Sequence, residues 1–186
     1  MIKGGTGGGN TLTGLAFERG KDIVSLVSGL PGYSVKHIEG YSTRGVVIYF
    51  NGVEVARSLS KHDLYRYLVE QGVKWEKILS KKLLPDEAVY VILNNTLFII
   101  EMKNQERSGS VDEKLQTCDF KAKQYRKLMA PLNIEVEYIY ILNDWFRKPC
   151  YKDTLDYVIS VGCQYYFQYL PLQKLGLPVP PGGVGG

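Results

Sequence analysis

The sequence predicts an α/β fold built on a mixed central β-sheet flanked by helices. Short runs rich in Val, Ile and aromatics recur between turn signals, and a segment of helical period follows the central pair of runs. A further strand-like run comes after that helix. Strand, helix and strand in this order favour a right-handed crossover, which leaves the two flanking strands parallel. The 186 residues, 45% hydrophobic and 23% charged, suit one domain with a full core. That domain is expected over 1–175, with the Gly- and Pro-rich stretch 176–186 as a flexible tail.

Asn10 or Thr11 is placed to cap a first helix, in which Leu15, Ile23, Leu26, Val27 and Leu30 supply the apolar face. Glu18 falls within that segment, one turn beyond Leu15, and Glu39 follows in a loop before the first strand. Gly45 to Phe50 and Val53 to Arg57 flank Asn51-Gly52, a strong hairpin signal because both residues tolerate positive φ. Ser60 begins a helix through Leu64, Tyr67 and Leu68 towards Gly72. A short helix around Trp75 to Leu79 then leads to Pro85, and this insertion covers one edge of the sheet or shapes a partner surface.

Ala88 to Leu93 and Leu97 to Met102 form the next two strands, joined at Asn94-Asn95. With those two asparagines as the loop, Asp86 lies opposite Lys103 and Ala88 opposite Glu101. Side chains alternate faces along a strand, so Asp86, Glu101 and Lys103 share one face, with opposed residues about 5 Å apart. Ser110 and Glu113 make a capping box for a long helix that runs to about Met129 and is stopped by Pro131. Val111, Leu115, Cys118, Ala122, Tyr125 and Met129 form its apolar stripe. Ile134 to Leu142 is the strand expected to lie parallel to the Glu101 strand. Asp144 to Lys148 follows as a loop whose Trp145 and Phe146 either dock on the core or stack on nucleic acid. Tyr165 to Tyr169 is a late strand packed on the core.

Glu101-Met102-Lys103 ends an apolar run whose two faces both look buried. Its charges must therefore be paired, metal-bound or placed at the exposed end of the sheet. The same acid-x-Lys spacing recurs at Asp112 to Lys114 and at Asp119 to Lys121. There the charges fall largely outside the apolar stripe and read as a solvated helix face.

Pro85-Asp86, then Glu101-x-Lys103, then the segment Ser108 to Lys114 opening a helix, together resemble the PD-(D/E)XK nuclease superfamily, especially its type II restriction endonucleases. The likeness covers roughly residues 45–142. In length and in its isolated core, the chain most resembles the small cleaving subunit of a heterodimeric type IIS restriction endonuclease. The resemblance implies a Mg²⁺-dependent endodeoxyribonuclease that acts on double-stranded DNA and leaves a 5′-phosphate. It implies Asp86, Glu101 and the Met102 carbonyl as Mg²⁺ ligands, with Lys103 positioning or deprotonating the attacking water and offsetting charge on the phosphate. It also implies a glutamate on the first helix facing the metal; Glu18 is the candidate by helix position, against a surface glutamate paired with Lys21, and Glu39 is a further candidate. The implied partner is a larger DNA-recognising subunit or a second nuclease chain. A homodimeric repair or junction-resolving nuclease is the alternative within the class. A non-catalytic DNA- or protein-binding module with the same fold is the alternative outside it.

The net charge of +4 permits a polyanionic partner without requiring one. Lys82 before the proposed site, and Lys114 and Lys121 on the helix after it, are candidates to line a phosphate track; a solvated helix surface is the other reading. No uncharged apolar run reaches membrane-spanning length, and the glycine-rich start lacks the apolar stretch of a secretory signal, so a cytoplasmic protein is expected. Cys118, Cys150 and Cys163 lack metal-binding spacing and are expected as buried thiols. The glycines near the start carry no Gly-Lys-Ser/Thr phosphate loop. His37 and His62 form no metal-binding pair.

Overall fold

The structure, a computed structural model, describes residues 14–16, 22–106 and 111–180. In chain order the elements are β1 (Gly14–Ala16), α1 (Ile23–Ser28), β2 (Tyr33–His37), β3 (Val46–Phe50), β4 (Val53–Ser58), α2 (His62–Glu70), β5 (Glu87–Val91) and β6 (Thr96–Lys103). There follow α3 (Val111–Leu115), α4 (Cys118–Met129), β7 (Glu135–Leu142), α5 (Lys152–Ser160), β8 (Gln164–Phe167) and β9 (Tyr169–Pro171). β2 to β8 make one seven-stranded sheet in sequence order, and β1 pairs with β9 in a separate two-stranded ribbon. β2 through β6 are an antiparallel meander, whereas β6, β7 and β8 run parallel. The sheet is therefore mixed and flanked by helices, as expected, and the parallel crossover between β6 and β7 is carried by α4.

The central strands are apolar on both faces because each face is covered. Ala88, Leu97, Ile99, Tyr138, Tyr140 and Leu142 pack with Leu64 and Leu68 of α2, with Cys118, Ala122 and Tyr125 of α4, and with Leu155 and Val158 of α5. Val89, Val91, Phe98, Ile100, Ile139 and Ile141 pack on the other side with Ile23 and Val27 of α1 and with Leu172 and Leu175 after β9. Among the described residues, no helix is long and apolar enough to cross a membrane.

Several elements depart from the sequence reading. Leu15 lies in β1 rather than in a helix, and α1 begins only after Asp22, whose carboxylate accepts from the Ser25 N–H at 2.7 Å as an N-cap. Glu18, placed by its spacing from Leu15, lies outside the described residues, and so does Ser110 of the expected capping box. β2 was not anticipated; Glu39 consequently sits in the exposed turn between β2 and β3, not before the first strand. The long helix is two. It breaks at Thr117, whose hydroxyl donates to the Lys114 carbonyl at 2.7 Å and so offers the backbone an alternative to a continuous helix. α5 was also missed, although Leu155 and Val158 at helical spacing are its buried face.

Cys118 and Cys163 are buried thiols, but Cys150 is exposed. Phe146 docks into the core, and the Trp145 indole donates to the Tyr151 hydroxyl at 2.8 Å. The tail expected to be mobile from Gly176 begins as a docked segment: Leu177 is buried, and the Pro178 carbonyl accepts from the Tyr33 hydroxyl at 2.6 Å. Residues 181–186 lie outside the description.

Candidate functional site

The site stands where β5 starts and β6 ends. The connection between these strands is longer than two residues: Val91 pairs with Thr96, and the intervening Ile92–Asn94 form a turn of 3₁₀ helix closed by Asn95 at φ 51°. Only one of the two asparagines takes positive φ, so the tight turn that needs it at both central positions does not form. The register is consequently Ala88 with Ile99 and Glu87 with Ile100, two residues away from the expected pairing. Continued by one residue, it sets Asp86 across from Glu101 rather than from Lys103. A shift of two preserves the alternation of side chains, so Asp86, Glu101 and Lys103 still share the face that carries Ala88 and Ile99.

Lys103 Nζ lies 2.8 Å from Glu101 Oε2 and 3.8 Å from Asp86 Oδ2, bridging the two carboxylates. Their surroundings differ. The Glu101 side chain is 6% exposed and Asp86 is 52% exposed, so one carboxylate is a buried anchor and the other faces solvent. Lys121, from α4, completes the cluster by donating to both Glu101 oxygens, at 2.8 Å to Oε1 and 3.0 Å to Oε2. Burial alone would push the Glu101 carboxyl up, but the two ammonium groups at hydrogen-bond distance outweigh it and hold it below the ordinary carboxylate range. Glu101 is thus an anion whose partners lie on both sides.

Beneath this cluster, β7 presents Tyr138 and Tyr140, fully buried with their rings edge to face. The Tyr140 hydroxyl is bonded to the backbone carbonyls of Lys114 and Leu115. The Tyr138 hydroxyl neighbours Glu101 closely enough for the two groups to bias one another's ionisation, yet it makes no hydrogen bond of ordinary geometry.

Met102 lies between Glu101 and Lys103 on β6. The Asn143 N–H donates to the Lys103 carbonyl at 3.3 Å, which turns that carbonyl towards β7. Successive carbonyls along a strand point to opposite sides, so the Met102 carbonyl is on the β5 side, where the continued register sets Met102 across from Pro85. Two carboxylates and this carbonyl are hard oxygen donors of the kind Mg²⁺ takes, and that ion commonly uses only one or two carboxylates, completing its shell with waters and phosphate. Among the described residues, no group of three or more His, Cys, Asp or Glu side chains gathers to hold a metal by itself.

Of the remaining candidates, Lys114 is exposed at the end of α3, and Lys82 is exposed with its ammonium over the Tyr65 and Trp75 rings at 5.1 and 4.8 Å. Neither bonds to the Asp86, Glu101 and Lys103 cluster. Lys121, read from sequence as a candidate for a phosphate track or as part of a solvated face, reaches Glu101. The signal for this was present: Lys121 lies three residues after Cys118 and four before Tyr125, on the flank of the buried stripe.

On the opposite face of the sheet, Glu87 forms a second charged group with Arg44 and Asp22. Arg44 Nη1 is 3.3 Å from Glu87 Oε1, Arg44 Nε is 3.2 Å from Asp22 Oδ2, and Ser60 Oγ donates to Glu87 Oε2 at 3.0 Å. Glu87 is 3% exposed, and its burial pushes the carboxyl up to about 7, with Ser60 and Arg44 offsetting part of that cost. No family model matches the chain, and neither a curated protein nor a solved structure matches it.

Proposed function

We propose that the chain is a Mg²⁺-dependent endodeoxyribonuclease that hydrolyses a DNA phosphodiester at the Asp86, Glu101 and Lys103 cluster. The observation that carries this reading is the bridge of Lys103 between one buried and one exposed carboxylate at the open end of a buried strand. Asp86, Glu101 and the Met102 carbonyl would hold the ion, which when bound lowers the pKa of water and stabilises charge on the phosphate. Lys103, anchored by Glu101, presents its ammonium at the cluster's open side. There it offsets charge on the phosphate under attack or, once deprotonated, takes a proton from the attacking water. The four charged side chains sum to zero, so an added divalent ion leaves the cluster net positive, which suits a polyanionic substrate.

One such cluster cuts one strand. Cleavage of a duplex therefore calls on a second copy or on a larger DNA-reading subunit, and we propose the latter arrangement, as in a type IIS restriction endonuclease. Supercoiled plasmid incubated with Mg²⁺ tests both levels. The chain alone should give nicked circles at most, and a DNA-recognising partner should convert nicking into cutting at a fixed site. A four-way junction in the same assay separates a junction-resolving nuclease, which would cut the junction in preference to plasmid. Intact plasmid under every condition, with Mg²⁺ and with Mn²⁺, sinks the proposal.

A further inference from the structure

Glu101 has both carboxylate oxygens occupied by ammonium groups, and its two lysines are not equivalent. Lys103 is shared with Asp86 and stays at the heart of the cluster. Among the described residues Lys121 bonds to Glu101 alone, through both oxygens, from α4 rather than from the strand. An ammonium 2.8 Å from Glu101 Oε1 lies where a divalent ion on that oxygen would repel it strongly. The Lys121 side chain is 29% exposed on the flank of α4, so its stem can swing to solvent without moving the helix.

We propose that Lys121 is a positioning residue that acts as an internal counter-ion for Glu101, holding the carboxylate in the metal-free chain and yielding it when a divalent ion binds, which frees the ammonium for a DNA phosphate. This inference rests on the metal reading of Asp86 and Glu101. A second observation supports the exchange. The Tyr138 hydroxyl lies buried beside Glu101, so the carboxylate keeps a neighbouring hydroxyl donor when Lys121 leaves. Without such a donor, Glu101 would lose its fixed orientation at the moment the ion needs it.

Mn²⁺ alone, followed by the paramagnetic resonance of the free ion, tests this on the full chain. Lys121→Gln should bind Mn²⁺ roughly tenfold tighter than the unsubstituted protein, because the competing ammonium is gone, and Lys121→Arg should restore the weaker affinity. A merely structural lysine would give the opposite sign, since its loss would loosen the site. Asp86→Asn serves as the control and should weaken binding. Equal or weaker binding by Lys121→Gln, with Asp86→Asn still weakening it, overturns the counter-ion role and leaves the metal reading standing. Absence of Mn²⁺ binding, or binding indifferent to Asp86→Asn, overturns both. Should Lys121→Gln not fold, methyl-¹³C-labelled lysines in the unsubstituted chain give the answer. The Lys121 resonance, assigned by its loss in Lys121→Arg, must move on saturation with Mg²⁺, and a fixed resonance overturns the proposal.

Discussion

Glu101→Gln removes the charge that holds two lysines and leaves the shape of the site intact. The lost interactions are contacts of 2.8 Å from Lys103 and of 2.8 and 3.0 Å from Lys121, all to a side chain that is 6% exposed. Charge-assisted hydrogen bonds contribute about 1.5–3 kcal/mol each, and removing one partner of a buried ion pair costs about 3–5 kcal/mol. The lysines, at 22% and 29% exposure, regain some water when released, so the expected loss is about 2–4 kcal/mol at pH 7. The dependence on pH has a definite sign. A carboxyl held below its ordinary value contributes stability that is present above the unfolded pKa, near 4.5, and is lost as pH falls through the folded one. Urea unfolding in chelator, followed by tryptophan fluorescence, should therefore show a gap between the two proteins at pH 7 that narrows in acid. A gap under about 0.5 kcal/mol at neutral pH, or one that does not change in acid, would refute the reasoning.

Glu87 should behave in the opposite sense. Its folded pKa is raised to about 7, so the stability it contributes is complete below about 4.5 and is lost as pH rises through 7. Glu87→Gln should then be the more stable protein at pH 8, by about 1–3 kcal/mol given the size of that shift, and the advantage should vanish in acid. Urea midpoints that fall for Glu87→Gln at pH 8 would show instead that the Arg44 and Asp22 cluster is net stabilising. Tyr138→Phe removes a buried hydroxyl without a hydrogen bond of ordinary geometry, so the metal-free protein should gain about 1 kcal/mol. The same substitution should weaken Mn²⁺ binding several-fold, and unchanged affinity would remove Tyr138 from the exchange at Glu101.

The mixed sheet, with β7 parallel to β6, was legible because the central strands are covered on both faces and therefore show as apolar runs bounded by turn residues, whereas the edge strand β2 was not. The β3–β4 hairpin was legible for a local reason: Asn51 and Gly52 both take positive φ, at 49° and 80°. The β5–β6 connection departs from the expected two-residue turn because Asn94-Asn95 offers the same residue types, yet only Asn95 uses that freedom. Face survives a two-residue error and register does not, which is why Asp86, Glu101 and Lys103 could be grouped correctly while their opposed partners were wrong. The start of the chain misled because Leu15 fits a helical stripe by spacing alone, whereas its place in β1 depends on β9, far away in sequence. The contact of Lys121 with Glu101 is hidden by the same limit: a helix flank points to its general direction, but only the crossover that lays α4 over β7, beside β6, brings it to Glu101. Glu87 looks in sequence like one more acid beside Asp86, and strand alternation sends it to the other face.

Mg²⁺-dependent nicking of supercoiled plasmid, compared between the unsubstituted chain and folded Asp86→Asn and Lys103→Ala variants, is the measurement closest to the claim that this cluster cuts DNA. Loss of nicking in both variants, by at least a hundredfold, is the predicted result. Nicking that survives both substitutions would contradict the assignment of the site.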